Sequence, residues 1–378
     1  MARIESKTDK VLLAEHQAGG GKVIAVATLN KPKALNALDL DMAEALLDAL
    51  RHWQTRDDIA CVVLNAEGEK AFCAGGDIVS MFNAMKESQT GIPDFLTDFF
   101  ACEYTLDYTI HTYQKPIVVW GSGIVMGGGM GLFTGASHRV VTPTSRLAMP
   151  EITIGLYPDV GGSYFLPRLP GHTGLFLGLT GANINAADAL YLGWADFVAA
   201  DDAKTALIDA LVAHEWEVIT DVAEQVSEVI SGLAQPALLP QGQVEAVREA
   251  IDTACEGESL SQICQQIQAM DAAGNTWLER AKATAAKGSP ITAHLVYQQC
   301  LRGKGMSLLG CFEMELIMSC RCGEFGEFQE GVRALLIDKD NAPQWRYPNV
   351  ESVPDDVITT FFTSPWDVHP LAELEKLA

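Results

Sequence analysis

Two carboxylate side chains lie in a stretch of the sequence that is otherwise apolar and rich in glycine, between residues 115 and 171. Glu151 follows a proline in the segment MPEITIGLYPDVGG, and Asp159 follows another proline eight residues later. Solvated acids are not expected among such neighbours. If both carboxylates face one cavity, one can act as a base or nucleophile while the other orients water or substrate. Asp159 also has a structural interpretation, as the N-cap of the helix predicted in VGGSYFLPRL.

Two glycine clusters could supply hydrogen-bond donors for the same chemistry. Gly75 and Gly76 follow the strand-like residues FCA, and a triple glycine that includes Gly128 follows another apolar run. A helix that starts at such a cluster leaves backbone N–H groups unpaired at the positive end of its dipole. Two converging N–H groups can stabilise the oxyanion of an acyl-transfer reaction. The alternative interpretation is that both clusters are packing turns.

Other polar residues near these motifs have structural explanations. Asp77 directly follows the first glycine cluster and is interpreted as the N-cap of the next helix. Glu103 falls close to the apolar face of a helix predicted before Pro116, and its periodicity alone gives it no functional role. Lys31 and Lys33 are interpreted as solvated side chains at the start of a helix.

Strand and helix signals alternate around these residues, as is typical of an α/β protein. The first two strands are predicted to form a hairpin across the glycines at 19–21. The predicted strands are 11–14, 23–29, 59–64, 117–120 with 124–125, 138–142 and 194–199. Helices are predicted after Asn36 or Asp39, after Asp77, before Pro116, and at 172–180, 186–192, 289–301 and 306–320. Residues 202–287 are predicted to be a mostly helical insert.

The composition argues against several classes of function. The 378 residues, 48% of them hydrophobic, can form a large core. A net charge of −23 repels polyphosphate, so no nucleic-acid or anionic-membrane partner is expected. The charged N-terminal residues and the absence of a long apolar run predict neither a leader nor a membrane helix. Nine scattered cysteines indicate reduced thiols and a cytoplasmic location. The motifs of serine hydrolases, nucleotide-binding loops and zinc sites are missing, and no metal is expected.

Four segments together resemble the crotonase superfamily: AFCAGGDI, GSGIVMGGGMGL, AMPEITIGLYPDVGGSYFLPRL and GEFQEGVRALLIDKDNAPQW. The resemblance extends from Val11 to about Trp345. It implies an α/β crotonase (ClpP-like) fold of repeated ββα turns with stacked sheets. The implied division is a crotonase core at 1–201, the helical insert at 202–287, and a helical C-terminal region at 288–378 that completes the crotonase domain.

The resemblance also implies roles for individual residues. The two oxyanion N–H groups of crotonases correspond here to Gly76 and Gly128. The glutamate of the PE pair is a catalytic acid or base, which implies Glu151. The aspartate of the PDVGG segment marks a hydrolase branch, which implies Asp159. In that branch a glutamate in an EY pair lines the substrate site, which implies Glu103.

Crotonase hydratases carry a second catalytic glutamate where this chain has Gly131, so hydration by two glutamates lacks one partner here. The implied activity is therefore hydrolysis of a short 3-hydroxyacyl-CoA thioester, with (S)-3-hydroxyisobutyryl-CoA, an intermediate of valine breakdown, as substrate. Glu151 can be either the base or the nucleophile. The alternatives are a hydratase or isomerase of the same superfamily and a noncatalytic acyl-CoA-binding protein. No cofactor is expected besides the CoA of the substrate, and self-association into a homo-oligomer is left open.

Overall fold

The computed structural model describes residues 2–88, 91–217 and 221–376. Eleven strands in these ranges form two sheets. The strands are β1 Ala2–Ile4, β2 Val11–Gln17, β3 Val23–Leu29, β4 Ile59–Ala66, β5 Ala71–Cys73, β6 Ile117–Gly121, β7 Ile124–Met126, β8 His138–Val141, β9 Arg146–Ala148, β10 Ile184–Asn185 and β11 Phe197–Val198.

Helices surround the sheets and make up most of the C-terminal half. The first eight described helices are α1 Leu40–Gln54, α2 Ile78–Glu87, α3 Asp94–His111, α4 Gly128–Thr134, α5 Gly162–Phe165, α6 Thr173–Thr180, α7 Ala186–Leu192 and α8 Lys204–Ala213. The next eight are α9 Val222–Ser231, α10 Arg248–Cys255, α11 Leu260–Ala269, α12 Thr276–Lys287, α13 Pro290–Gly303, α14 Leu308–Phe325, α15 Glu327–Val332 and α16 Asp355–Phe361.

From β4 to β9, successive strands alternate between the two sheets. The first sheet has the strand order β1-β2-β3-β4-β6-β8-β11 and the second has the order β10-β9-β7-β5. In the pairs β4–β5, β6–β7 and β8–β9, the first strand joins the first sheet and the second strand joins the second sheet. Neighbours from β3 to β11 and from β5 to β9 run parallel. This repeat agrees with the ββα architecture that the resemblance implies.

The hairpin and the first helix show how local signals set these elements. β2 and β3 pair antiparallel across the glycines at 19–21, as predicted. Every residue of β3 and β4 is buried, which explains why these strands appear in the sequence as unbroken apolar runs. Asp39 is the N-cap of α1, and its side chain accepts a hydrogen bond from the N–H of Met42. The side-chain amide of Asn36, the other candidate cap, instead donates to the backbone carbonyls of Glu67 and Ala71.

The described helices of segment 202–287 pack on two sides of the molecule. α8 and α9 cover one face of the first sheet through apolar side chains such as Leu211 and Ile230. α10 and α12 pack against α6, and Ile251 and Leu278 join the main core. No helix in the described ranges is long and apolar enough to span a membrane. All nine cysteines are free thiols.

Candidate active site

A cavity of about 230 Å³ is lined by all five residues to which the sequence pointed, Gly76, Glu103, Gly128, Glu151 and Asp159. Three of them come from the loops after β5, β7 and β9. Because these strands are parallel neighbours, their carboxyl ends lie at one edge of the sheet, and the following loops meet there. Glu103 is supplied by α3, and Asp159 by the loop before α5.

The backbone nitrogens of Gly76 and Gly128 lie close together. A Cβ built on Gly128 would be 3.4 Å from the Gly76 nitrogen, and one built on Gly75 would be 4.0 Å from the Gly128 nitrogen. Neither N–H donates a hydrogen bond to another described residue. Gly128 begins α4, so its N–H belongs to the unpaired first turn of that helix. The two loops therefore offer two free donors to a ligand in this cavity, as an oxyanion hole requires.

Two glutamates flank the turn that contains the second glycine cluster. A Cβ built on Gly127 would lie 3.1 Å from Glu151 Oε1, and one built on Gly128 would collide with Glu103 Oε1. Gly127 also has φ of 49°, a conformation that glycine adopts more readily than other residues. Glycine at these two positions thus lets both carboxyl groups approach the backbone at the start of α4.

The carboxylate of Asp159 is held by a tyrosine. The hydroxyl of Tyr104 donates a hydrogen bond of 2.7 Å to Asp159 Oδ2. Helix α5 is instead capped by Gly161, and no side chain accepts a capping hydrogen bond there. The interpretation of Asp159 as an N-cap is therefore wrong, because its side chain is hydrogen-bonded in the cavity wall.

The chain that follows Asp159 is fixed by a buried glutamate. The backbone N–H groups of Gly161 and Ser163 each donate 2.7 Å hydrogen bonds to the carboxylate of Glu315 in α14. Val160 has φ of 51°, and a buried β-branched residue in this region carries strain of about 1–3 kcal/mol. The contacts to Glu315 oppose that strain and hold the loop that presents Asp159.

A second network joins the cavity to α14. The hydroxyl of Tyr104 is also hydrogen-bonded to Ser319 Oγ at 2.6 Å, and Ser319 Oγ is hydrogen-bonded to the Tyr157 hydroxyl at 2.9 Å. Tyr157 in turn donates 2.7 Å to the backbone carbonyl of Glu315. These buried side chains form one connected set, and such sets restrict the positions of their members.

Burial raises the pKa of all three carboxyl groups that line the cavity. Glu103, Glu151 and Asp159 are 2%, 5% and 4% exposed. The pKa values of Glu103 and Glu151 lie well above their usual range, chiefly through burial and next through the charge of Asp159. Burial raises the pKa of Asp159 to about 6, and the hydrogen bond from Tyr104 opposes a larger rise. The charge of Asp159 raises the pKa of both glutamates, so their ionisation depends on that of Asp159.

A family model described as enoyl-CoA hydratase/isomerase matches residues 24–362. This chain belongs to that family, part of the crotonase superfamily. Curated relatives named 3-hydroxyisobutyryl-CoA hydrolase, mitochondrial, match almost all of this chain. The Danio rerio protein is 38% identical over 362 residues, which are 96% of this chain and 91% of that protein. The Homo sapiens protein is 32% identical over 364 residues, 96% and 91% of the two chains. Because these names specify mitochondria, they give no support to the cytoplasmic location predicted from the sequence.

Solved crotonase structures superpose on almost the whole chain. A carnitinyl-CoA dehydratase from Mycobacterium thermoresistibile has a TM-score of 0.84 and 32% identity, and the match covers 96% of this chain and 98% of that one. An enoyl-CoA hydratase from Rhodobacter sphaeroides has a TM-score of 0.82 and 31% identity, with 94% and 98% covered. The crotonase fold predicted from the sequence motifs is thus confirmed.

Two other polar residues close to the motifs, Asp77 and Lys31, have structural roles in this crotonase. Asp77 caps α2, since its Oδ1 accepts a hydrogen bond from the N–H of Ser80. Lys31 forms ion pairs with Asp39 at 2.9 Å and with Asp77 at 3.4 Å. Lys31 and Asp77 therefore stabilise the helix starts beside the cavity.

The position of the second hydratase glutamate is closed to any side chain. A Cβ built on Gly131 would lie 2.6 Å from Asp107 Oδ2 and 2.7 Å from the Cβ of Val160. Real side chains do not tolerate contacts of this length without movement of their neighbours. The packing around Gly131 therefore leaves no room for the second glutamate of the hydratases.

Sequence reasoning missed the residues that hold Asp159 in place. Tyr104 stands next to Glu103 in the EY pair, but its helical spacing places it with the apolar residues of that helix. Ser319 and Glu315 lie in an apolar helix more than 150 residues away, so no local pattern links them to Asp159. A polar residue within a strongly apolar helix was the one available indication that α14 contributes buried polar contacts.

Proposed function

We propose that this chain hydrolyses the thioester bond of a short 3-hydroxyacyl-CoA, and that (S)-3-hydroxyisobutyryl-CoA is its substrate. The proposal rests on Glu151 and Asp159, two buried carboxyl groups in one small cavity with two free glycine N–H donors. Membership of the crotonase superfamily supports an acyl-CoA as the substrate class. The acyl group is suggested by the name that the curated relatives carry.

The free N–H groups of Gly76 and Gly128 have a direct use in this reaction. Attack on the thioester carbonyl places negative charge on its oxygen, and two backbone donors stabilise that charge without reorganisation. Loss of one such donor typically costs about 10²- to 10³-fold in rate. Substrate whose carbonyl oxygen reaches these N–H groups is therefore activated at the carbonyl carbon.

Glu151 can complete the reaction by two routes. As a base it removes a proton from water, which then attacks the carbonyl carbon. As a nucleophile it forms an anhydride with the acyl group and expels CoA, and water then opens the anhydride. Both routes break the carbon–sulfur bond, return Glu151 unchanged and need no cofactor. In either route Asp159, held by Tyr104, and the neighbouring Glu103 orient water or the 3-hydroxyl group.

The size of the cavity favours a short acyl group. Its volume of about 230 Å³ is below the range of about 300–1,000 Å³ that is usual for ligand pockets. Apolar side chains such as Met81, Phe100 and Leu156 form much of the wall. A four-carbon branched acyl group with one hydroxyl matches both the volume and the few polar groups that line it.

A thiol-release assay over a panel of acyl-CoA thioesters tests the proposal. We expect the wild type to release thiol fastest from short 3-hydroxyacyl-CoAs, and Glu151→Gln and Asp159→Asn to lose about 10²-fold or more in kcat. Glu327→Gln is the matched control, because Glu327 is equally buried but lies outside the cavity and is hydrogen-bonded to Ser289. Incorporation of oxygen-18 from labelled water into Glu151 would mark the anhydride route.

The same panel separates the alternatives. The names of the two superposed structures make a hydratase the second candidate, and 2-enoyl-CoA substrates in the panel test it. Hydration of these substrates without thiol release would replace hydrolysis as the function. Binding of acyl-CoA with no turnover, or full activity in both carboxyl variants, would also refute the proposed reaction.

A further inference from the structure

Three titratable side chains follow one another at intervals of four residues along α3, so they share one face of that helix. They are Glu103 at the cavity, then Asp107, then His111 at the helix end. This face packs against glycines of α4 and its C-cap. A Cβ built on Gly128 would meet Glu103, one built on Gly131 would meet Asp107, and one built on Gly135 would meet His111. Because glycines form this face of α4, a narrow line of polar atoms lies between the two helices.

Two of these three side chains, Asp107 and His111, have no structural explanation. Asp107 is 0% exposed, and neither of its carboxyl oxygens has a hydrogen-bond partner within the described ranges. His111 Nε2 is likewise buried without a partner there. Buried polar groups in native proteins are almost always hydrogen-bonded, so two adjacent exceptions next to a catalytic cavity need an explanation. The mechanism outlined above uses neither residue.

The proposed reaction releases a proton that Asp107 and His111 can carry away. Hydrolysis converts the thioester and one water molecule into a carboxylate, a CoA thiol and one proton. That proton is released among the buried carboxyl groups of a cavity that the substrate fills during turnover. It must leave before the next cycle, because a coupled set of carboxyls that keeps an extra proton lacks the ionised form that catalysis needs.

We propose that Asp107 and His111 relay this proton from Glu103 to the surface at the far end of α3. The inference rests on the proposed hydrolase function. A neutral carboxyl group can accept a proton at one oxygen while it donates from the other, and a neutral imidazole can do the same at its two nitrogens. Neither oxygen of Asp107 nor Nε2 of His111 is engaged by another described residue, so each transfer requires rotation of these neighbouring side chains into hydrogen-bonding contact. At a rise of 1.5 Å per residue the path is about 12 Å long. It ends at His111, which is partly exposed as a residue although its Nε2 is buried.

The charges around Asp107 keep it in the neutral form that a relay uses. Its pKa is raised well above the usual range, chiefly by burial and then by the charges of Glu103, Asp159 and Glu315. Glu103 lies on the same helix, Asp159 on the loop before α5, and Glu315 on α14. This shift favours the protonated form of Asp107, which can pass a second proton on by exchange.

The surroundings of His111 also favour its neutral form. Burial and then the charge of Arg139 on β8 lower its pKa to about 4. The rings of Tyr164 and Phe312 pack edge-on against the imidazole and hold its orientation. An imidazole that stays neutral at pH 7 returns to its starting state after each transfer and does not trap the proton.

Asp107→Asn and His111→Asn test the relay, because each keeps the approximate size of the side chain and removes its ability to transfer a proton. We expect kcat for thiol release to fall by about 10- to 100-fold with KM unchanged. The solvent deuterium isotope effect on kcat should increase, and small diffusible buffers such as imidazole should restore part of the rate. Thr292→Val is the control, since it removes another buried, unpartnered polar atom, in α13.

The outcomes separate the relay from the hydrolase function itself. If the wild type releases no thiol, both proposals fall. If the wild type is active and folded variants of Asp107 and His111 keep its kcat, only the relay is refuted. A loss of kcat with no change in isotope effect and no response to buffer also refutes the relay, because it marks a purely structural role. If Asp107→Asn does not fold, the same measurements on His111→Asn test the relay.

Discussion

Removal of the Tyr104 hydroxyl should move the pH dependence of catalysis by an amount that the structure predicts. In Tyr104→Phe, Asp159 loses a 2.7 Å hydrogen bond in a fully buried environment. A hydrogen bond to a charged group contributes about 1.5–3 kcal/mol, and about 1.4 kcal/mol corresponds to one pKa unit. Since the lost bond stabilises the ionised form, the pKa of Asp159 should rise from about 6 to about 7–8.

The acid limb of the pH profile of kcat/KM for thiol release measures this change. If ionised Asp159 is required, the limb moves upward with its pKa, so the variant is about 5- to 50-fold slower than the wild type at about pH 6 and recovers at high pH. Tyr157→Phe is the matched control, because its hydroxyl belongs to the same network but bonds to Ser319 and Glu315. An unchanged limb in Tyr104→Phe, or equal shifts in both variants, would show that the hydrogen bond does not set the ionisation of Asp159.

Two further changes test the packing and the charge of the site. Gly131→Ala places a Cβ 2.6 Å from Asp107 Oδ2, and we expect this variant to lower the free energy of unfolding, measured in urea, by about 1–3 kcal/mol. The control is Gly305→Ala, because a Cβ built there has no other atom within 4 Å. Equal stability of the two variants would contradict the predicted clash. In Glu103→Gln we expect a gain in melting temperature that grows as pH rises above about 4.3. Burial raises the pKa of Glu103 in the folded state, whereas the group ionises above about pH 4.3 in the unfolded chain, so wild-type stability falls as pH rises. A gain that does not change with pH would show that the Glu103 carboxyl is not responsible.

Much of the fold follows from local patterns. The hairpin of β2 and β3, the helix capped by Asp39 and the helix capped by Asp77 were predicted because turn glycines, capping aspartates and apolar periodicity act within a few residues. Boundaries were less well predicted, since β11 has two residues where the sequence suggested a strand at 194–199. Short edge strands depend on what they pair with, and that information is not local.

The candidate site was likewise identified in part from local motifs, and the rest depends on the tertiary structure. Residue types and motifs identified Gly76, Gly128, Glu151 and Asp159, and the resemblance added Glu103. From spacing alone, however, the glycine clusters could have been packing turns. They share a cavity because β5 and β7 are parallel neighbours, a relation between segments about 50 residues apart that only the sheet order reveals.

Local sequence therefore accounts for the elements, the motifs and the family of this chain, because propensity, capping and motif chemistry act over short distances along the chain. Only the tertiary structure decides the environment in which each carboxyl group works. Tyr104 bonds to Asp159, Glu315 bonds to the loop after it, and Asp107 faces Gly131 without a partner. These contacts set the burial, hydrogen bonding and nearby charge of each group, which are the quantities that determine its pKa and its chemical role.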